Sequence, residues 1–174
     1  MATFSTHTER WGLLGLVLAI GAIGILGVLG VAPFRPRDEP AHYGYAVSIA
    51  EGRLPTIDTP VPVGDVDSLA AEMERRDPSR RTIWTANHPP LWYVIAAVPA
   101  KVGRRLGAEE SALRAMRMLN LLFGIVLVLA TYRLARLLLP DRPRFHLVSA
   151  AVVGLNPMAM SLTYAAYNDV LAAA

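Results

Sequence analysis

The side chains able to do chemistry in this chain are few and far apart. Asp38 and Glu39 stand side by side with His42 one turn further on, His88 precedes a pair of prolines, Arg114 and Arg117 share a stretch of helical spacing, and Asp169 stands alone near the last residue. A carboxylate fixed at the mouth of a membrane cavity can serve as general base or metal ligand. The same Asp38-Glu39 pair, followed by Pro40, also reads as a plain helix start, with either acid as N-cap and the proline at the first helical position. His42 could hydrogen-bond to Asp38, or be an ordinary interfacial residue. Asp38, Glu39, His42 and Asp169 could hold a divalent ion if they converge, although acids this far apart in sequence fix no coordination geometry. No phosphate-cradling glycine loop, serine elbow or His-Glu-x-x-His motif is present.

These residues need a membrane to position them. Of the 174 residues 53% are apolar and only 18% charged, with mean hydropathy +0.37. That is more apolar and less charged than an average soluble domain. The chain has no cysteine, which excludes disulfides, thiolate zinc sites and cysteine nucleophiles. The net charge of +3 comes from arginines and one lysine scattered along the chain. They suit the flanks of membrane spans better than nucleic acid, which is not expected as a partner.

An all-α, polytopic membrane fold is expected, with three spans and a long extracytoplasmic loop carrying interfacial helices. Residues 1–10 form a cytoplasmic N-terminus, and 11–32 a span that is too long for a signal peptide and is followed by Pro33. Glycines 21, 24, 27 and 30 spiral around this helix and permit close packing without marking one face. Residues 118–139 and 147–167 are the next two spans, joined by a cytoplasmic link at 140–146, and Asn156-Pro157 is placed to kink the last of them. Residues 168–174 begin a further segment.

The stretch 91–103 is too short to span easily and is read as interfacial; if it did cross, there would be four spans. With three, Asp169 emerges on the same outer side as Asp38. The link then carries Arg133, Arg136, Arg142 and Arg144 against Asp141, as the positive-inside rule asks. Lys101, Arg104, Arg105, Arg114 and Arg117 form a rival basic cluster.

The loop 33–117 carries juxtamembrane helices at about 40–51 and 90–106. Tyr43, Ala46, Val47 and Ala50 share a face of the first, which can lie on the membrane surface; Gly52 stops it. The mixed charges of 64–81 read as a solvated helix or a flexible excursion. Trp92 and Tyr93 read as interfacial anchors.

In order, the chain offers a span, Asp38-Glu39-x-x-His42, Glu51-Gly52-x-Leu54-Pro55, His88-Pro89-Pro90-Leu91-Trp92-Tyr93, Arg114-x-x-Arg117-x-x-Asn120, Asn156-Pro157 and Asn168-Asp169. This series resembles the N-terminal part of polytopic glycosyltransferases of the GT-C superfamily, in the protein O-mannosyltransferase and aminoarabinose transferase branch (glycosyltransferase family 39, or the related RgtA/B/C/D-like family). The resemblance runs from Trp11 to Asp169. It implies transfer of a sugar from a polyprenyl-phosphate donor to a protein, lipid or glycan acceptor on the outer face of the cell membrane, with inversion.

By resemblance, Asp38 is the general base, Glu39 its partner, and Asp169 the second outer acid. His42 and His88 bind substrate, with His88 positioning donor or acceptor. Arg114 and Arg117 either neutralise the lipid phosphate or snorkel at the interface. No cofactor is implied with certainty, and a divalent cation remains open. Family members have many more spans, so the chain is expected to be a piece of a longer enzyme and inactive alone. The rival expectation is a small non-catalytic membrane protein whose outer loop binds a partner; a transporter fragment is disfavoured, because the spans hold no acid or base away from their ends.

Overall fold

The computed structural model describes residues 6–62 and 82–173, and within them the protein is all-helical. The whole of the charged stretch 64–81 lies outside the described residues. The helices are α1 (Thr6–Gly30), α2 (Glu39–Ala50), α3 (Leu91–Leu106), α4 (Glu109–Leu138), α5 (Pro143–Gly154), α6 (Pro157–Thr163) and α7 (Asp169–Ala173), with a 3₁₀ turn at Trp84–Asn87.

Two helices, α1 and α4, are long and apolar enough to cross a membrane, and α5 with α6 makes a third if that bent pair is one span. α1 leaves Trp11, Leu18, Leu26 and Leu29 exposed. A solvated helix would not present that many large apolar side chains, whereas lipid accepts them.

α4 begins at Glu109, a good two turns before the expected boundary at 118. Glu109 and Glu110 occupy its first turn and Arg136 its last, each favoured by the helix dipole. The expected span 147–167 is two helices meeting at 61°. Pro157 cannot donate a backbone hydrogen bond, and Asn156 caps the new start by accepting from the Met158 and Ala159 amides.

The glycines of α1 divide by position. A Cβ on Gly24 would lie 2.2 Å from Leu121, and one on Gly27 2.5 Å from the Tyr164 ring, whereas Gly21 and Gly30 face open space. Gly24 and Gly27 therefore permit the approach of α4 and of the turn after α6.

The loop helices depart furthest from expectation. α2 does not lie on a membrane surface: residues from Glu39 to Ser48 are all buried. Tyr43, Tyr45, Ala46 and Val47 share a core with Val61, Ile83, Trp92, Tyr93, Leu113 and Met116. Tyr45 and Tyr93 stack at 3.8 Å. Trp92 and Tyr93 are likewise buried and not interfacial anchors, because their polar tips find partners inside the protein. α3 runs through Pro99 and stops at Gly107, whose φ of 61° places it in the left-handed region. Its outer face leaves Leu91, Val94, Val98, Val102 and Leu106 exposed.

Candidate active site

One carboxylate organises the end of the bundle where α1 gives way to α2. Glu39, at the start of α2, is fully buried and forms a two-pronged ion pair with Arg117 of α4, Nε to Oε1 at 2.8 Å and Nη2 to Oε2 at 2.7 Å. Its oxygens also accept the Phe34 amide at 2.9 Å and the Ala166 amide at 3.0 Å. Arg117 donates onward to the carbonyls of Val28, Val31 and Ala32. A guanidinium has five N–H donors, and all are engaged. Arg117 therefore cannot serve a lipid phosphate, and the pairing expected for it is replaced by a clamp that closes the turn between α1 and α2. Glu39 belongs to the same clamp, with no lone pair directed to a substrate. Phe34, in the turn so closed, has φ 57°, a conformation that side-chain-bearing residues rarely adopt.

Asn120 repeats the device one turn along α4. Its Oδ1 accepts the Trp92 indole N–H at 2.6 Å, and its Nδ2 donates to the carbonyls of Ala165 and Tyr167 at 2.6 and 2.7 Å. Arg114, on the same helix, faces outward and pairs with Glu110. The Arg-x-x-Arg-x-x-Asn spacing thus splits into one exposed cation and two buried braces.

These braces bring the segment before Asp169 against the first loop. The Tyr167 hydroxyl accepts the Asp38 amide at 3.1 Å, and His88 Nδ1 lies 3.2 Å from Asn168 Oδ1. Burial pushes the Tyr167 phenol up to about 12, and the carboxylates of Asp38, Glu39 and Asp169 act in the same direction. Asp38 is half-buried at the N-cap position of α2, and its side chain makes no cap bond. Asp169 is exposed at the start of α7 and borders an apolar cavity of about 100 Å³ between α1, α4, α5 and α6.

His42 is buried, and its Nδ1 meets the Tyr93 hydroxyl at 2.9 Å, so it is neither bonded to Asp38, as its spacing allowed, nor an interfacial residue. Burial, with a smaller contribution from His88, lowers its pKa to about 3. The ring is neutral and packed by Tyr167 at 4.9 Å and His88 at 5.7 Å. Among the described residues no three His, Cys, Asp or Glu side chains come together to hold a metal.

Sequence reasoning missed Tyr93, Tyr167 and Asn168 as members of this cluster. The signal for the last two was their adjacency to Asp169. At the opposite end of the bundle, Glu9 and His146 form a buried pair at 2.6 Å that was also unforeseen. Set against protein-family models, curated proteins and solved structures, the chain matches none.

Proposed function

We propose that this chain carries the acidic outer face of a membrane glycosyltransferase, which moves a sugar from a polyprenyl-phosphate donor to an acceptor hydroxyl outside the cell membrane. The observation that carries this reading is the convergence on Asp38. Three hydrogen bonds, Ala166 amide to Glu39, Asp38 amide to Tyr167 and His88 to Asn168, tie the segment before Asp169 to the loop that holds Asp38. Two acids distant in sequence are thereby drawn towards one end of the bundle, and Asp169 also borders an apolar cavity.

The chemistry needs little more. Asp38 takes the proton of the acceptor hydroxyl as its oxygen attacks the anomeric carbon. The bond from that carbon to the phosphate oxygen breaks, and the phosphate leaves with the electron pair. A phosphate leaving group requires no strong acid, so orientation and one proton acceptor suffice. Attack from the face opposite the phosphate inverts the configuration. Arg114, whose exposed pair with Glu110 is readily exchanged, is the cation assigned to the donor phosphate.

The N-terminus is cytoplasmic and the first loop outside in this reading. The basic residues that argue for the opposite orientation are largely matched by acids: Arg117 by Glu39, Arg104 by Glu51 and Arg114 by Glu110.

The test is transfer from radiolabelled polyprenyl-phosphate sugars in membranes expressing the protein from its complete reading frame. Asp38→Asn should lower transfer by at least about a hundredfold, the usual contribution of a general base, at unchanged protein level. Transfer at the wild-type rate, or no transfer by the wild type with any polyprenyl-phosphate sugar, rejects the assignment.

A further inference from the structure

The hydrogen bonds around His88 favour one tautomer. Asn168 presents its carbonyl oxygen Oδ1 to His88 Nδ1 at 3.2 Å. With Oδ1 as the accepting atom, Nδ1 carries the hydrogen. The Tyr93 oxygen lies 3.3 Å from the same nitrogen, which cannot then accept the phenolic proton. Tyr93 turns its O–H instead to His42 Nδ1 at 2.9 Å. His42 accepts there and keeps its own hydrogen on Nε2. Read in this direction the bonds agree with one another, from Asn168 through His88 and Tyr93 to His42.

A neutral imidazole has one N–H. With it committed to Asn168 and Tyr93, His88 Nε2 is a bare lone pair. It has no hydrogen-bond partner among the described residues, although the ring is half-buried and held edge-on by Trp84 at 6.2 Å. The ring also lies against His42, which packs on Tyr167, the residue that receives the Asp38 amide. We infer that His88 Nε2 is a hydrogen-bond acceptor for a substrate hydroxyl beside Asp38, and that Asn168 and Tyr93 are positioning residues that select its tautomer.

The ligand chemistry is a neutral hydroxyl donor, on the sugar or the acceptor, and not a phosphate, which would need a cation at this position. The inference rests on the sugar-transfer reading for its substrate but not for its tautomer, so the two fail separately.

The experiment is nitrogen NMR of isotopically labelled histidine in detergent-solubilised protein, with His88 assigned by substitution, at a pH where imidazole is neutral. The expected spectrum has His88 protonated at Nδ1 and bare at Nε2, and Asn168→Ala should return it to the Nε2–H form common in free histidine. A wild-type His88 already in the Nε2–H form, or a tautomer unmoved by Asn168→Ala, overturns the inference whatever the enzyme transfers.

The second arm is transfer activity. His88→Gln offers a carbonyl oxygen in place of Nε2 and should retain activity within a few-fold. His88→Phe offers no acceptor and should lose about tenfold, the loss of one hydrogen bond. Equal losses in both variants, or a larger loss in the glutamine variant, also overturn it. The expected tautomer with no sugar transfer by the wild type refutes the glycosyltransferase reading, and with it the sugar or acceptor assigned to Nε2.

Discussion

Replacing Glu39 by glutamine keeps the size of the side chain and removes its charge. In the folded protein this carboxylate receives hydrogen bonds from Arg117 Nε and Nη2 and from the Phe34 and Ala166 amides. Every partner is a donor, so a glutamine must turn its own NH₂ against some of them. Arg117 meanwhile keeps its charge at a site 1% exposed. Breaking one side of such a buried pair costs about 3–5 kcal/mol. In a chain of this size each kcal/mol moves the melting midpoint by roughly 2–4 °C. Glu39→Gln should therefore melt roughly 6–20 °C below wild type.

Many buried pairs can be replaced by apolar side chains at little cost. This one should not be, because Glu39→Leu with Arg117→Met also strips partners from two amides and from the carbonyls of Val28, Val31 and Ala32. Each such group left dry costs about 1–3 kcal/mol. The assay is thermal unfolding in detergent followed by circular dichroism, with Asp38→Asn as the neighbouring control. A Glu39→Gln midpoint equal to that of the control, or a double variant as stable as wild type, would refute the clamp.

Other consequences follow from the same cluster. His42 is neutral when folded, with its pKa lowered to about 3, but takes a proton below about 6.5 when unfolded. The unfolded state thus binds more protons between those values, and stability should fall as pH drops from 6.5 towards 3, by at most about 1.4 kcal/mol per pH unit. Denaturation at graded pH should show part of that slope vanish in His42→Asn; an unchanged slope contradicts the burial argument. Gly27→Ala drives a methyl into the Tyr164 ring and should destabilise by about 1–3 kcal/mol, whereas Gly21→Ala, facing open space, should be neutral or better by melting midpoint. Asn120→Leu leaves the Trp92 indole and the Ala165 and Tyr167 carbonyls without their partner. It should cost at least about 2 kcal/mol and shift the tryptophan fluorescence; a silent substitution would mean the brace is not needed.

What could be read from the sequence was what depends on local pattern. Uncharged runs of the right length located α1 and the part of α4 from Met118 onward, and Pro40, Gly52 and Pro157 marked helix ends, because these effects act within one turn. The partners of the polar groups were not legible. Asp38-Glu39 reads as two equivalent acids, yet one is half-buried at a helix cap and the other is sealed against an arginine far along the chain. Nothing in the spacing of Arg114 and Arg117 says which faces inward until α1 and α2 are packed on α4. Trp92 and Tyr93 look like interfacial anchors because the composition of such an anchor and of a buried, hydrogen-bonded aromatic is the same. Helical spacing offers His42 its neighbour Asp38, whereas a residue from another helix, Tyr93, takes the bond. Long-range pairing decided each case.

The account turns on Asp38 and Asp169 lying on one side of the membrane. The chain contains no cysteine, so single cysteines at 38, 169 and, as a control, 141 can be labelled with a membrane-impermeant maleimide in intact cells. The account predicts labelling at 38 and 169 from outside, with 141 reached only after permeabilisation. Labelling of 38 and 169 from opposite faces would contradict it.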